Sequence, residues 1–543
     1  MSVRLASRAV AWSRGVRVAG LAVVLAVPVA MSAAPAGAGS GRTLRLQSAS
    51  DVSRDSRGGI GVAAAKALRS GALPIDDAAL ARAKAAAARA GRGAAVPQGV
   101  APAATAVRSF AGVNDPGLTP SDSTSAIGIQ RFIELTNQQG AIDSRTGNTP
   151  LATGTLHTLA GAAAADSVFD PQIMWDGQTK RFYYTMDDVV SASTNLLAIG
   201  FSKTASPSSF TAADWCGYSV NYGSEFPDYP KLGDSKDFWT IGVNVFTPSF
   251  RGSDIVGISK PAAGTTCPDP STFKFGIAKN LKTGTGAAAF TPVPAQQTDT
   301  NTTGWAVAKG GSTTLTLFKI TTNGDGTPNI QVNGTDVTVG AYSVPANAPQ
   351  AGATQKIDTS DARPTQAVSA IDPGHANKVG LWTQHTVFGG AGAEVRWYEI
   401  DPVAASLLQS GKATDASLYE FNGAISPDRH VKGTTKLFGD SMVMVFNASS
   451  SATDVQIRIV SKIGAAAQSA STLVLTSPGP DIDYACKTAG SVCRWGDYAA
   501  ATPDPSSSAT GAHGRVWLTN QWNVNSTNNT IANWRTQNIV AQP

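Results

Sequence analysis

Charged residues are scarce in this chain: Asp, Glu, Lys and Arg together make up 15% of its 543 residues, and aromatic residues make up another 7%. Beyond the N-terminal stretch, no apolar run approaches the ~20 residues that a membrane-spanning helix needs. The sequence therefore predicts no transmembrane span. So little charge also disfavours long amphipathic helices, because each of them needs a polar face.

The body of the chain also lacks an excess of basic residues. Residues 1–40 carry four Arg and no acidic residue, and residues 41–108 carry eleven basic against four acidic residues. From residue 109 onward, 28 basic residues stand against 34 acidic ones, so the formal charge of +5 comes from the N-terminal segments. Since nucleic-acid binding needs a basic face to neutralise phosphates, we predict that nucleic acid is not a partner of the body.

Motifs of the common enzyme classes are missing too. The sequence has no Gly-x-Ser-x-Gly elbow, no His-Glu-x-x-His zinc motif, no phosphate-binding Gly-rich loop and no dinucleotide fingerprint. A zinc finger is disfavoured by the cysteine spacings. The segment Asn-Gly-Asp-Gly at 323–326 lacks the ligand series of a calcium loop and predicts a hairpin turn.

Glycine and proline are abundant, with 54 and 30 residues. From Phe110 onward, short alternating apolar runs fall into groups about 50 to 65 residues apart, the repeat length of a propeller blade with long loops. We therefore predict an all-β fold, a β-propeller of seven blades, with six blades as the alternative. The last strand, near 538–540, is expected to pair with an early strand and close the ring. Blade starts are expected near residues 125, 168, 227, 302, 360, 418 and 484.

One short motif recurs in this region. A basic residue, one or two apolar residues and Gly-Asp precede a further apolar or aromatic run in KLGDSKDFW (231–239), KLFGDSMVMVF (436–446) and RWGDY (494–498). If these motifs begin equivalent strands, Asp234, Asp440 and Asp497 occupy one geometric position in several blades.

The N-terminus has the pattern of an export signal. Four Arg precede an apolar run, and small residues at 36–38 fit a cleavage site, so residues 1–38 are predicted to be a signal peptide. The Ala-, Gly- and Arg-rich residues 39–108 predict a flexible basic spacer or pro-segment with a short helix near 76–90. The propeller domain is expected to span 109–543, as a secreted, extracellular monomer.

Four cysteines form an even set, as expected in an exported chain. Pairing neighbours in sequence joins Cys216 to Cys267 and Cys486 to Cys493. Loop-closure entropy then gives roughly 4 kcal/mol for the first disulfide and roughly 2.5 kcal/mol for the second.

Several segments resemble secreted bacterial β-propellers loosely related to sialidase-like (BNR-type) repeat proteins. They are LTPSDSTSAIGIQRFIELTNQQGAIDSRTGN at 118–148, FDPQIMWDGQTKRFYYTM at 169–186, DYPKLGDSKDFW at 228–239 and RWGDYAAATPDP at 494–505. The resemblance covers about residues 110–540 and implies a propeller, but the group shares no single reaction. Active sialidases carry a Ser-x-Asp-x-Gly-x-x-Trp box, whereas the nearest segment here, Asp176-Gly177 followed by Phe182, lacks the Ser and the Trp.

Acidic residues near these segments are candidates for chemistry, because the inner strands of a propeller converge on its axis. The candidate catalytic carboxylates would act as a pair in glycoside cleavage or hold calcium, the one cofactor left open; they are Asp170, Glu225, Asp234 and Asp497. The alternative is that each Asp caps a turn by accepting backbone N–H bonds. The candidate ligand-binding residues add basic and aromatic neighbours; they are Asp228, Lys231, Asp234, Arg494, Trp495, Asp497 and Tyr498.

Three functions are open on this basis. The first is a secreted propeller that binds an extracellular ligand, a glycan or surface polymer, through one face of its ring. The second is a glycoside hydrolase, sialidase-like or other, that uses paired carboxylates. The third is a protein-interaction scaffold, in which the conspicuous acids turn inward to backbone amides.

Overall fold

The computed structural model describes residues 46–49, 77–90 and 103–543, except residues 116, 248, 507–512 and 525–529. The predicted signal peptide and much of the predicted spacer lie outside these residues. Nearly all described elements are strands, as expected from a sequence rich in turn residues and poor in charge. No helix in the described part of the chain is long and apolar enough to span a membrane.

The N-terminal segment contributes both strands and a helix to the described structure: β1 (Leu46–Ser48), α1 (Asp77–Arg89) and β2 (Thr105–Ala111). The helix agrees with the one predicted near 76–90. Both strands extend sheets of the body, because β1 pairs with a strand of the second sheet and β2 with a strand of the last one. Residues 39–108 thus supply edge strands as well as a helix.

The first three sheets follow one another along the chain and are antiparallel. The first contains β3 (Thr124–Ile127), β4 (Arg131–Leu135), β5 (Gln139–Ser144) and β6 (Ala152–Thr155), followed by α2 (Leu156–Ala160). The second contains β7 (Ser167–Asp176), β8 (Arg181–Ser191), β9 (Thr194–Ser202) and β10 (Trp215–Gly223), with β1 at its outer edge. The third contains β11 (Phe226–Asp234), β12 (Phe238–Thr247), β13 (Ser249–Ser259) and β14 (Phe275–Ala278).

One short strand of the fourth region belongs to the fifth sheet. The fourth region contains β15 (Phe290–Pro294), β16 (Gln296–Gln297), β17 (Gly304–Lys309), β18 (Thr314–Thr322), β19 (Pro328–Ile330) and β20 (Thr335–Thr338), followed by β21 (Ala348–Pro349) and β22 (Lys356–Ile357). The fifth sheet contains β23 (Pro364–Asp372), β24 (Lys378–Val387), β25 (Glu394–Asp401) and β26 (Ser406–Ala413). The short β16 leaves the fourth sheet and pairs in parallel with β23 of the fifth.

The last two sheets complete the chain. The sixth region contains β27 (Tyr419–Pro427), the hairpin β28 (His430–Lys432) and β29 (Thr435–Leu437), then β30 (Met442–Ser450), β31 (Thr453–Lys462) and β32 (Thr472–Thr476). After β33 (Val492–Cys493), the seventh contains β34 (Ala500–Pro503), β35 (Val516–Asn523) and β36 (Trp534–Gln542), with β2 against β36. This pairing confirms the predicted closure between the strand near 538–540 and an early strand. A small separate sheet joins β21, β22 and β33.

The large sheets form a closed circuit. The first strands β3, β7, β11, β15, β23, β27 and β34 contact one another in this order, and β34 contacts β3. The apolar core is divided in the same way, because each neighbouring pair of sheets shares a cluster of buried side chains. Trp239 of the third sheet, for example, lies against Tyr183 of the second, with ring centroids 5.2 Å apart. Sheets packed face to face around a common axis make a β-propeller.

A bulge recurs in the first strands. In β7, β11, β15 and β27 the pairing with the second strand shifts, and a residue with positive φ lies in each shift. These residues are Asp170 (φ 53°), Tyr229 (φ 59°), Thr291 (φ 55°) and Asn422 (φ 50°). A proline follows the first three and a glycine follows the last. The extra residue of a bulge bends its strand, and this bend recurs in four of the seven first strands.

The Gly-Asp motifs, by contrast, are not equivalent. Asp234 ends β11, Asp440 precedes β30, which is a second strand, and Asp497 precedes β34. The prediction of one shared geometric position is therefore wrong, because the three motifs belong to different turns.

The predicted starts near 125, 168, 227 and 418 fall within one residue of β3, β7, β11 and β27, and the start near 360 lies four residues before β23. The starts near 302 and 484 miss their first strands. The strand β15 was missed because it contains Pro292 and Pro294, and proline within a sheet is tolerated only in edge strands or bulges. Residues near 484 lead into the loop that Cys486–Cys493 closes. Both predicted disulfides, Cys216–Cys267 and Cys486–Cys493, are confirmed.

Candidate functional site

The ring has two different faces. The strand-end face is the side on which the first strands end, since residues at those ends, such as Asp176, Asp234 and Pro503, line one common cavity. The opposite, strand-start face is crossed by the small sheet of β21, β22 and β33. That sheet connects the segments that lead into β23 and β34, and it contacts β27 and β30. Its residues Ile357 and Cys493 belong to the same buried cluster as Trp495.

The cavity on the strand-end face has a volume of about 460 Å³. Its walls include residues that end or follow the first strands of six sheets; representatives are Ile129, Trp175, Asp234, Gln297, Arg429 and Pro505. Because these residues come from six of the seven large sheets, the cavity lies over the axis of the ring.

Two carboxylates share one ammonium group in this cavity. Nζ of Lys260 lies 3.1 Å from Oδ1 of Asp176 and 2.8 Å from Oδ2 of Asp234. The other oxygen of Asp234 accepts the backbone N–H of Gln297 at 2.7 Å. Burial raises the pKa of Asp234 to about 6, with Lys260 lowering it and Asp176 raising it. Both carboxyl oxygens of Asp234 are thus held by hydrogen bonds, and its raised pKa is a feature found at functional sites.

A second ion pair fixes another part of the wall. Nη2 of Arg429 lies 3.1 Å from Oδ1 of Asp299, and Nε lies 3.2 Å from Oδ2. Oδ2 also accepts the backbone N–H of Ile371 at 2.8 Å. Both residues are buried, so this pair connects the chain after β27 to the segment after β16 and keeps the cavity wall in place.

Polar groups remain available around the opening. Lys180, Lys236 and Lys432 are exposed and line the cavity. The Trp175 side chain is buried in the wall, and its indole N–H has no hydrogen-bond partner among the described residues. A buried donor without a partner is costly, and because this N–H is enclosed, the accessible polar groups of the opening are the lysines.

Most of the sequence-predicted ligand residues lie elsewhere. Lys231, Asp497 and Tyr498 come together under the strand-start face, where Nζ of Lys231 lies 3.4 Å from the centroid of the Tyr498 ring and 4.0 Å from that of Tyr229. Burial lowers the pKa of Lys231 well below its ordinary value, while Asp170 acts in the opposite direction. The cluster fills the interior of the ring.

The two aromatic residues among the predicted ligand-binding residues are enclosed. Trp495 and Tyr498 are each 2% exposed. The Trp495 indole N–H donates to Oδ1 of Asn447 at 2.9 Å, and the Tyr498 hydroxyl donates to the Pro171 carbonyl at 3.0 Å. Arg494 pairs with Asp497 at 3.0 Å. In this arrangement the rings present no free face to a sugar.

The predicted catalytic carboxylates are separated by the ring. Asp234 lines the cavity, whereas Asp170 and Asp497 belong to the strand-start side. Glu225, just before β11, pairs with Nε of Arg251 at 2.9 Å. The structure thus combines Asp234 with Asp176 and Lys260, which the sequence did not select. Asp176 was visible only as part of an incomplete sialidase box, and nothing in the sequence marked Lys260.

Two groups of side chains have spacings suited to a cation. Ligand atoms of Asp170, Asp187 and Asp228 lie within 4.8 Å of one another, and the same holds for Asp372, His375 and Glu399. Three carboxylates are a donor set that calcium prefers, so the first group is where the calcium left open by the sequence would fit. In the second group, burial and the neighbouring Asp372 raise the pKa of Glu399 to about 9.

No protein-family model matches the chain, and no curated protein matches its sequence. Solved structures that it resembles include an apocarotenoid oxygenase from Synechocystis, with 8% identity over 65% of this chain and 71% of that one and a TM-score of 0.35. They also include the WD40 domain of SCAP from fission yeast, with 10% identity, 80% and 97% coverage and a TM-score of 0.33. An exo-β-1,3-galactanase from Phanerochaete chrysosporium with galactose has 10% identity, 80% and 100% coverage and a TM-score of 0.26. At these scores the similarities carry no argument about activity, and a relation to sialidase-like repeat proteins is not shown.

Proposed function

We propose that this chain is a secreted, seven-bladed β-propeller that binds an acidic glycan in the cavity of its strand-end face. Each of the seven large sheets is taken as one blade. The observation that carries the proposal is the cavity over the axis, about 460 Å³ in volume, with exposed lysines around its opening. That volume is within the range of small-ligand sites.

The charges in and around the cavity favour an acidic sugar over a neutral one. Inside the cavity the three carboxylates of Asp176, Asp234 and Asp299 face the two cations Lys260 and Arg429, which leaves one negative charge against the three exposed lysines of the opening. The lysines of the opening then attract a carboxylate, and a complementary potential increases both the association rate and the selectivity.

Secretion is part of the proposal. It is supported by the predicted signal at 1–38 and by the two disulfides, which persist in oxidising compartments. Of the ligand residues selected from the sequence, the proposal keeps Asp234 in the cavity. It assigns Lys231, Asp497 and Tyr498 to holding the ring together from the strand-start side.

The test is binding of uronate oligosaccharides, compared with neutral oligosaccharides of equal length, to the purified chain without its signal peptide. We expect saturable, salt-sensitive binding of the uronates only. Lys432→Glu should weaken it about tenfold, since an attractive charge becomes a repulsive one. Lys319→Glu is the matched control, because Lys319 is exposed on β18 away from this cavity. Equal binding of neutral and acidic oligosaccharides, or no saturable binding, would contradict the proposal.

A glycoside hydrolase is the second candidate, and the pair of Asp176 and Asp234 favours it. Both carboxylates contact one Nζ, so their oxygens are no farther apart than the two contact lengths together, a spacing compatible with the roughly 5 to 5.5 Å of retaining glycosidases. New oligosaccharides in a polysaccharide panel, lost in Asp234→Asn but not in Glu225→Gln, would establish this activity. An unchanged panel would remove it and leave the binding function.

A further inference from the structure

Helix α1 makes little apolar contact with the ring. Its sequence, DAALARAKAAAAR, offers mainly alanine methyl groups, and only Lys84 and Ala87 are buried among its described side chains. A cavity of about 330 Å³ remains where its alanines meet Val344 and Phe388. Burial of a few methyl groups stabilises such a contact only slightly. Lys84 supplies the buried polar contact of the helix with the ring.

The ammonium group of Lys84 is fully satisfied by the ring. Nζ donates to Oδ1 of Asn347 at 2.7 Å, to Oδ1 of Asp358 at 2.8 Å and to Oγ1 of Thr359 at 3.3 Å. An ammonium group has three N–H donors and no acceptor, so each donor has one oxygen. One carboxylate among two neutral oxygens also compensates its charge.

Contacts within the ring, and not with the helix, position the oxygens of Asp358 and Thr359. The Thr359 hydroxyl donates to the carbonyl of Ala346 at 3.0 Å, which turns its lone pairs toward Lys84. The backbone N–H of Asp358 donates to the carbonyl of Cys493 at 3.0 Å, and its Oδ1 accepts the backbone N–H of Ser360 at 3.2 Å. The helix belongs to none of the sheets. The site is therefore built by the ring, and Lys84 occupies it from outside.

We propose that Asn347, Asp358 and Thr359 form a binding site for a primary ammonium group on a flexible carbon stem, such as a lysine side chain of a partner polypeptide, and that Lys84 is its tethered occupant. The site lies on the strand-start face and is separate from the glycan cavity. Because Lys84 is on the same chain, it competes at a high effective concentration, and an external amine binds when α1 is displaced.

The test uses the full chain without its signal peptide and two probes, n-butylammonium and Nα-acetyl-lysine amide. We expect Lys84→Met to bind both at least about tenfold more tightly than the unmodified chain, because the internal competitor is removed. Adding Asp358→Asn to Lys84→Met should abolish the gain. Arg89→Met, which removes an exposed basic residue of the same helix, should behave like the unmodified chain. Tetramethylammonium, which has no N–H, should not bind.

Glucosamine distinguishes the source of the amine. Its ammonium group is attached directly to a sugar ring, so we expect weaker binding than for the lysine amide; tighter binding would overturn the assignment to a lysine side chain. Equal amine affinities of Lys84→Met and the unmodified chain, or equal effects of tetramethylammonium, would overturn the site itself.

A second measurement does not need the Lys84 variant to fold. In the unmodified chain, n-butylammonium should accelerate elastase cleavage at the alanines 85–88 of α1, because it displaces the helix. Tetramethylammonium at the same ionic strength should leave the cleavage rate unchanged. Equal rates with both salts would contradict the proposal, and uronate binding on the other face should be unaffected in every case.

Discussion

Asn538 of β36 and Glu134 of β4 meet across the junction between the seventh and first sheets, where Nδ2 of Asn538 donates to Oε2 of Glu134 at 2.7 Å. The other carboxyl oxygen contacts the hydroxyl of Thr536, which also bonds to the Val113 carbonyl. A hydroxyl has one proton to donate. If it donates to Val113, a protonated Glu134 completes the network by donating to Thr536.

This network makes stability depend on pH. Burial raises the pKa of Glu134 from 4.5 to about 7, against the hydrogen bonds from Thr536 and Asn538. A raised carboxyl pKa gives a contribution to stability that is full below 4.5 and is lost as pH rises through 7. Glu134→Gln keeps the donors and acceptors but cannot ionise. We expect the variant to be more stable than the unmodified chain at pH 8, by about 3 kcal/mol at most, with little difference at pH 4.5.

Urea denaturation at the two pH values measures this difference. Glu225→Gln is the control, since Glu225 is half-buried and pairs with Arg251, and it should give no gain at pH 8. Parallel pH profiles of Glu134→Gln and the unmodified chain would show that Glu134 does not titrate as described.

The two disulfides should contribute unequally. Cys216–Cys267 closes 51 residues and Cys486–Cys493 closes 7. We expect replacement of the first pair by Ala to lower the free energy of unfolding by about 4 kcal/mol and replacement of the second by about 2.5 kcal/mol. The reason is that the unfolded chain gains more conformational entropy when the disulfide that is removed closed a longer loop. Denaturant midpoints of the two double variants measure the order, and the reverse order would show that loop length is not the deciding factor.

Lys180 reports on the proposed glycan site. It is exposed and lines the cavity. We expect Lys180→Gln to weaken uronate binding about three- to tenfold, because one attractive charge is lost. Isothermal titration measures the affinity, with Lys319→Gln on β18 as the control. An unchanged affinity in Lys180→Gln would place the ligand away from this wall.

Removal of β2 should destabilise the junction between the seventh and first sheets. A chain that lacks residues 1–111 loses the pairing of β2 with β36, whereas one that lacks residues 1–102 keeps it. Phe110 of β2 also packs against Phe132 and Trp517 in the cluster between these sheets. Because this burial is lost, we expect the shorter protein to melt at a clearly lower temperature than the longer one. Equal melting temperatures, measured by circular dichroism, would mean that β2 is dispensable.

The propeller architecture could be predicted from the sequence because its signals are local. Turn residues separate short strands at blade-length intervals, and neighbouring cysteines pair. The strand-end cavity could not, since Asp176, Lys260 and Arg429 are distant in sequence and meet only when their strands end at one face. Trp495 and Tyr498 resembled sugar-binding residues in the sequence, yet both are buried. Ile357 and Cys493 of the small sheet pack in the same cluster as Trp495, and Tyr498 lies against Tyr229 and Lys231.

The pairing of Thr105 with Gln542 also bears on the order of folding. During synthesis β2 appears before any of the seven inner strands, but its partner follows more than 400 residues later. The entropic cost of closing so long a loop grows only with the logarithm of its length. Pairing of β2 is therefore delayed mainly by the time needed to synthesise β36. A premature stop that removed only β36 would leave a nearly complete propeller with β2 and β35 each short of a neighbour. Such a chain would be a substrate for proteases, although most of its core had already formed.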